Sequence, residues 1–225
     1  MFQDRELIVV DKDAGLLSVP LEGLRSPSVK EALDRALQRQ RKRSFTVHRI
    51  DRYTSGLILF ALSPRARDAL VEQFRSHTPE RHYLALVRGT LDGDSGSLRH
   101  RLQQNRDDFR QNVVSSGGSV AVLHYRVRER LLDATLLEVQ LETGLKNQIR
   151  VQFAAAGHPL VGDRQMDPRE EHDPLGRQAL HAWRLAFEHP ATRQRMRFEA
   201  PLPVDLEAAL KRARRPSPAS CPPAR

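Results

Sequence analysis

Asp51 stands between two arginines in the string His48-Arg49-Ile50-Asp51-Arg52-Tyr53-Thr54-Ser55-Gly56, directly ahead of the apolar run Leu57-Ile58-Leu59-Phe60-Ala61. Nearby guanidinium groups favour an ionised carboxylate, so this spacing offers a nucleophile or a base near neutral pH rather than a proton donor. Taken alone, Arg-x-Asp-Arg is a weak signal. Surface ion pairs and turn-capping aspartates are commoner than catalytic ones, and Thr-Ser-Gly is ordinary turn chemistry. Other reaction classes find less support. The 9 histidines come without a Cys-x-x-Cys, a His-Glu-x-x-His or any paired metal spacing. No glycine-rich phosphate loop of the Walker or dinucleotide type occurs, so no metal and no nucleotide cofactor is expected. A two-carboxylate glycosidase needs a second positioned acid, and Asp51 has no such companion in its motif.

The elements that must hold Asp51 are mixed helix and strand. Period-two alternation and β-branched runs predict strands at 7–10, 57–62, 82–88, 120–128, 134–142, 182–187 and 195–199. Ser28 with Glu31 forms a capping box ahead of Val29, Ala32, Leu33, Ala36 and Leu37, which recur at helical spacing. A second helix starts after Ser63, with Pro64 in its first turn and Ala66, Leu70 and Phe74 below. Segment 98–118 is charged and ends Ser115-Ser116-Gly117-Gly118, which reads as a surface loop or long hairpin. Strands joined mostly by hairpin-length connections, with helices in only some gaps, argue for an α+β domain on an antiparallel or mixed sheet.

The chain has 225 residues, enough for one substantial core. We place the domain at 1–210 and a basic, proline-rich tail at 211–225, expected to be disordered. Lysine and arginine total 37 against 28 acids, a formal charge of +9 that favours polyanionic partners through phosphate neutralisation. Arg39, Arg41, Lys42 and Arg43 cluster at the end of the first predicted helix, where cations also complement the helix dipole. No apolar run approaches the roughly 20 residues of a spanning helix. The N-terminal residues lack the apolar core of a signal peptide, and Cys221 is the sole cysteine, so a reducing cytoplasm is the expected location.

The Asp51 string resembles the catalytic motif of the RluA-type RNA pseudouridine synthases, written His-Arg-Leu-Asp-Arg-x-Thr-Ser-Gly-Leu-Leu. Further segments follow in that family's order. They are Tyr83-Leu84-Ala85-Leu86-Val87-Arg88-Gly89; Glu142-Thr143-Gly144-Leu145-Lys146-Asn147-Gln148-Ile149-Arg150-Val151, running into Gly157-His158-Pro159-Leu160-Val161-Gly162-Asp163; and Leu180-His181-Ala182. The opening Val9-Val10-Asp11-Lys12-Asp13-Ala14-Gly15-Leu16-Leu17-Ser18-Val19-Pro20 resembles the family's first strand and turn, so the likeness spans about residues 7 to 203.

The resemblance implies the pseudouridine synthase fold, a mixed, mainly antiparallel central sheet with flanking helices and a catalytic cleft across it. It implies isomerisation of uridine to pseudouridine in ribosomal or transfer RNA without a cofactor, by a chain needing no protein partner and expected to be a monomer. Many members carry an N-terminal S4 RNA-binding module. With the first strand at about Leu7 no room is left for one, and RNA recognition is expected from the catalytic domain itself. The rival is a noncatalytic RNA-binding or ribosome-assembly protein of the same fold.

By resemblance Asp51 is the catalytic acid. Attack on C1′ of the ribose, addition to the uracil ring and removal of the C2′ proton all remain open to it. Tyr83 is expected to stack on the uracil and help remove the C5 proton; by itself it reads as a core or cross-strand aromatic. Arg150 is expected to hydrogen-bond Asp51 and hold it ionised through a charge-assisted or bidentate pair; a phosphate contact is its blander reading. Arg49 corresponds to the arginine that enters the RNA in place of the flipped nucleotide, since a stacked uridine must be extruded before chemistry. Arg52, His48, Lys146 and Asn147 are further RNA-binding candidates, His48 reading first as a structural hydrogen-bonding group. The family string Thr-Gly-Arg-x-His-Gln-Ile-Arg is broken here, with Leu145 for its first arginine and Asn147 for its histidine. Lys146 partly replaces the lost charge, and the departure bears on substrate identity more than on catalysis.

Overall fold

The computed structural model describes residues 1–23, 25–105 and 110–214, with the side chains of Glu171 and His172 excepted. In chain order the strands are β1 (Phe2–Gln3), β2 (Leu7–Lys12), β3 (Phe45–Thr46), β4 (Ser55–Ala61), β5 (Glu80–Arg88), β6 (Ser95–Gln104), β7 (Gln111–Val114), β8 (Ser119–Arg130), β9 (Ala134–Leu141), β10 (Leu180–Glu188) and β11 (Arg195–Glu199). The helices are α1 (Val29–Leu37), α2 (Pro64–Arg75), α3 (Gln148–Ala155) and α4 (Val204–Ala213). The strands make one sheet in the order β1-β2-β4-β10-β5-β9-β8-β6-β7, with β3 added on β4 and β11 on β10. Every ladder among the described residues is antiparallel except β4 with β10, which pair in parallel through His181 with Ser55 and Ala182 with Gly56. The sheet is thus mixed and mostly antiparallel, as an α+β chain requires.

The period-two pattern sorts the side chains onto two faces. Leu57 and Leu59 of β4 pack with Ala66 and Leu70 of α2, while Ile58 and Phe60 pack with Val29, Leu33 and Leu37 of α1 on the opposite face. On the other half of the sheet, Tyr83, Ala85, Leu137 and Val139 pack under Ile149 and Phe153 of α3, and Leu86 and Ala134 lie under Leu206, Ala209 and Leu210 of α4. Both predicted caps form: Ser28 Oγ accepts from the Glu31 amide at 3.2 Å, and Ser63 Oγ from Ala66 at 3.1 Å. A serine cap is worth about 1 kcal/mol to a helix of this length.

Segment 98–118 is a long hairpin, one of the two forms its sequence offered, with β6 and β7 pairing from Arg101 with Val114 to Gln104 with Gln111. Its charge reflects an edge region with two buried positions, Leu102 and Gln111, among the described residues. Two departures from the sequence reading have physical causes. Helix α3 escaped notice because every residue from Gln148 to Phe153 is buried, leaving no polar face to show a helical period. Its two glutamines donate to sheet carbonyls, Gln148 Nε2 reaching Val122 O and Gln152 Nε2 reaching Leu98 O and Ala121 O, each at 3.1 Å, while Gln152 Oε1 has no partner among the described residues. Helix α4 was also missed. It runs past residue 210 to Ala213, and Arg214 clasps Glu129 at 2.6 and 2.8 Å, so the tail drawn from 211 begins later than expected. Its remainder, 215–225, including Cys221, lies outside the described residues.

Candidate active site

The loop 47–54 delivers Asp51 to the point where the two halves of the sheet meet, at the N-terminal end of β4 beside β10. Gly56 makes that meeting possible. Its φ is +107° and a Cβ there would collide with the Ala182 backbone, so only glycine allows β4 and β10 to approach so closely. Thr54 N donates to Asp51 O at 3.1 Å, closing the turn that presents the carboxylate.

Lys12, at the end of β2, holds the loop from below. It is 1% exposed, and its Nζ donates to the carbonyls of Asp13, Leu16 and Arg52, each at 2.9 Å. Burial pushes its pKa down to about 8, with Arg177 adding repulsion and Asp51 opposing it. Lys12→Met should therefore orphan the Asp13 and Leu16 carbonyls, while the Arg52 carbonyl keeps its bond from Gly15 N at 2.8 Å. We expect a loss on the order of 2 kcal/mol, read as a fall in Tm, together with a drop in activity because Arg52, whose carbonyl loses one of its two donors, lies next to Asp51.

Arg150 comes from α3 and faces two acids. Its Nε and Nη2 bind Asp163 bidentately at 2.6 and 2.7 Å, whereas Nη1 stands 3.7 Å from Asp51 Oδ2. The bidentate partner expected to be Asp51 is thus Asp163, which is 2% exposed. Asp163 orients the guanidinium and leaves one of its edges for the catalytic candidate. Sequence reading quoted Asp163 and Lys12 within motifs and gave neither a role; a motif-borne charge at a buried position was the available signal.

Burial is the largest influence on Asp51 and pushes its pKa up, Asp163 adding to it, while Arg150 and Lys12 pull it down. This corrects the expectation that the flanking arginines hold it ionised. Arg52 Nε is occupied by the Gly15 carbonyl at 2.9 Å and its guanidinium lies over Tyr53, while Arg49 is exposed at the rim.

A cleft of about 750 Å³ opens over Asp51, lined by Arg49, Arg52, Tyr83, Arg150, Lys146 and Asn147 among others. Tyr83 is 9% exposed on its floor, and burial raises its pKa, so the phenol stays protonated. His48 also borders the cleft, but its Nε2 accepts from the Leu59 amide at 3.1 Å and its ring stacks on Phe74 at 4.5 Å. Burial depresses its pKa to about 3, so it stays neutral and holds β4 rather than offering a cation to RNA. Asn147 adopts φ +53° just before α3, a conformation asparagine tolerates better than most residues. Leu145 packs with Leu102, Ala121 and Val151, so its apolar side chain anchors the turn. Among the described residues no three His, Cys, Asp or Glu side chains stand close enough together to hold a metal.

Asp51 and an arginine oriented by a second carboxylate thus stand together in a cleft beside the parallel strand pair. The sequence profile of the RNA pseudouridylate synthases matches residues 6–155, and the chain belongs to this family. It is 37% identical to an uncharacterized RNA pseudouridine synthase, YlyB, of Bacillus subtilis over 95% of this chain and 72% of the relative. It is 41% identical to a ribosomal large subunit pseudouridine synthase D of Nitrosomonas europaea, over 95% of this chain but 64% of that protein. The chain thus spans about two thirds of the length of these relatives. In fold it is similar to human RNA pseudouridylate synthase domain containing 4, with a TM-score of 0.80 at 21% identity over 95% of this chain and 92% of that one.

Proposed function

We propose that this chain isomerises uridine to pseudouridine in RNA, with Asp51 as the catalytic carboxylate and ribosomal RNA of the large subunit as the first substrate to test. The supporting observation is the pairing of Asp51 with the free edge of an Asp163-oriented Arg150 over a cleft floored by Tyr83. The reaction breaks the C1′–N1 bond, turns the freed uracil, joins C5 to C1′ and releases the C5 proton. Such a site needs a carboxylate that is ionised yet poorly solvated, and burial with one shared arginine supplies that state. Tyr83, held protonated, suits stacking and hydrogen-bond donation better than proton acceptance. The choice of large-subunit RNA follows the name of the Nitrosomonas relative.

Release of tritium from C5-labelled uridine tests the reading, because C5 must lose its hydrogen after it bonds to C1′. Purified protein and transcribed large-subunit RNA, with chelator present, should release tritium in proportion to pseudouridine formed. Tight RNA binding with no release from any cellular RNA fraction would sink the enzyme in favour of the noncatalytic binding protein.

Arg49 offers a separate test. Exposed at the rim, it is free to enter the helix that the target base leaves. Arg49→Ala should slow the reaction on a structured stem-loop at least ten times more than on a flexible strand with the same uridine, since only the stem requires a few kcal/mol of unstacking. Equal losses, measured as single-turnover rates, would reassign Arg49 to general binding.

A further inference from the structure

Three arginines are buried among the described residues: Arg81, Arg150 and Arg177. Two of them grip carboxylates with both arms, Arg150 on Asp163 and Arg177 on Asp205 at 2.7 and 2.9 Å. Arg81 is the exception. It is 8% exposed, pairs with no carboxylate among the described residues, and is held by a single hydrogen bond from Nη2 to the Glu142 carbonyl at 3.2 Å. Its Nε has no hydrogen-bond partner among the described residues. Buried Lys12 also lacks a carboxylate contact, yet all three of its protons reach carbonyls. Arg81 is therefore a desolvated cation with unused donors, an arrangement that costs several kcal/mol unless something else is bound there for part of the time.

Its position says what that something is. Arg81 and Tyr83 are two apart on β5, so both side chains lie on the cleft face, and both line the cleft over Asp51. The guanidinium sits 5.9 Å over the Phe74 ring. Nη1 lies beside Gly144, where a larger residue would push the guanidinium aside. The Glu142 carbonyl and the Phe74 ring hold the group on the cleft floor. A phosphodiester travels with the RNA strand at the open rim, where Arg49 is exposed; the part of a flipped nucleotide that reaches a buried floor is its base.

We propose that Arg81 stabilises negative charge on the departing base: its guanidinium donates to a carbonyl oxygen of the uracil that Tyr83 stacks upon. The inference rests on the function proposed above. When C1′–N1 breaks, the bonding pair stays on N1 and its charge spreads onto the uracil carbonyl oxygens. C1′ is meanwhile taken by the Asp51 carboxylate, or Asp51 removes the C2′ proton and a C1′=C2′ double bond forms. On reclosure C5 bonds to C1′, the carboxylate leaves or the C2′ proton returns, the C5 proton departs and N1 regains a proton. A donor already in place where charge develops needs no reorganisation at that moment, which is how an oxyanion-binding group accelerates a reaction. The forked, always charged guanidinium suits a carbonyl oxygen that becomes anionic. Burial raises the Tyr83 pKa and keeps it a phenol, although the nearby Arg81 cation pulls that pKa the other way.

The test compares Arg81→Gln with wild type on a large-subunit RNA transcript carrying either uridine or 5-fluorouridine, by single-turnover loss of the starting nucleoside. Fluorine withdraws electron density and stabilises the leaving anion without help. On uridine the saturated rate should fall by on the order of 10²-fold, as for loss of one oxyanion donor. On 5-fluorouridine the loss should be several-fold smaller. RNA affinity and its salt dependence should not change. Equal losses on both nucleosides would reduce Arg81 to a strut for the 142–148 turn and overturn the proposal. A salt slope shallower by about 0.7, with weaker binding and an unchanged saturated rate, would make it a phosphate contact and overturn it equally. Thermal melting accompanies each assay. If Arg81→Gln does not fold, Arg81→Lys, which keeps charge and loses the fork, should show the same dependence on fluorine, and its absence there would refute the proposal. Wild-type protein inactive on every RNA would refute the parent reading, whereas active wild type with an equally active variant would refute only this one.

Discussion

Asp51→Asn protein is expected to fold, bind RNA and release tritium from C5-labelled uridine at a rate lower than wild type by on the order of 10⁴-fold or more. The amide is nearly isosteric and keeps hydrogen-bonding capacity, so the loss isolates the negative charge that nucleophilic attack or proton removal requires. RNA affinity should change little or rise slightly, since a carboxylate near phosphates is removed. The same substitution carries a stability signature. Burial holds the Asp51 pKa above its ordinary 3.8, so the native state binds its proton more tightly than the unfolded chain does. Native stability therefore falls as pH rises through the window between 3.8 and the folded value, and at neutral pH the charged group is a cost. Asp51→Asn should accordingly melt higher than wild type at pH 7, and the difference should vanish below about pH 3.8, where both states of the wild type are protonated. A variant that retains activity would overturn the chemistry. One that melts lower at pH 7 would show that Asp51 is a structural ion pair.

Much of this arrangement was legible in the chain. The run Leu57–Ala61 stood out as an unbroken apolar stretch of strand length, and Ser28 and Ser63 announced α1 and α2, because a strand buried on both faces and a capped helix with one apolar face each leave a local pattern. The elements that stayed hidden obey a different logic. Helix α3 is buried from Gln148 to Phe153, with Gln148 and Gln152 donating to sheet carbonyls, so no polar face marks its period. Asp51, Tyr83 and Arg150 converge on one cleft, yet the partners that set their chemistry could not be read from spacing. Arg49 and Arg52 flank Asp51 in sequence, yet they point to different places in space, the Nε of Arg52 to the Gly15 carbonyl and Arg49 to the exposed rim. Long-range pairs such as Arg150 with Asp163, or Lys12 with the Arg52 carbonyl, depend on how α3 and β2 approach the loop, and no local pattern encodes that approach.

Asp163→Asn probes the least visible of those pairs, and its two readouts should move in opposite directions. The asparagine cannot receive both arms of Arg150 as a charged partner, so the guanidinium is released from its fixed orientation toward Asp51. Misplacement of this kind costs on the order of 10² in rate even without contact with substrate. Breaking a buried pair should also cost about 3 kcal/mol of stability, since Arg150 would remain buried with Asp51 as its one carboxylate and Gln165 Oε1, at 2.9 Å, as a neutral acceptor. The acid side of the pH–rate profile should nevertheless improve. Asp163 now raises the Asp51 pKa through repulsion and draws Arg150 away from it. With that charge gone, Arg150 answers to Asp51 alone, its pKa falls, and the limb where activity rises with pH shifts to lower pH. A variant that merely unfolds loses rate with no shift of the limb among the molecules that stay native. A slower enzyme with an unmoved or upward-shifted limb would mean that Asp163 supports the fold and does not tune Asp51. A slower enzyme active at lower pH than wild type is the outcome this geometry requires, because only an arginine shared between two carboxylates can yield both effects from one substitution.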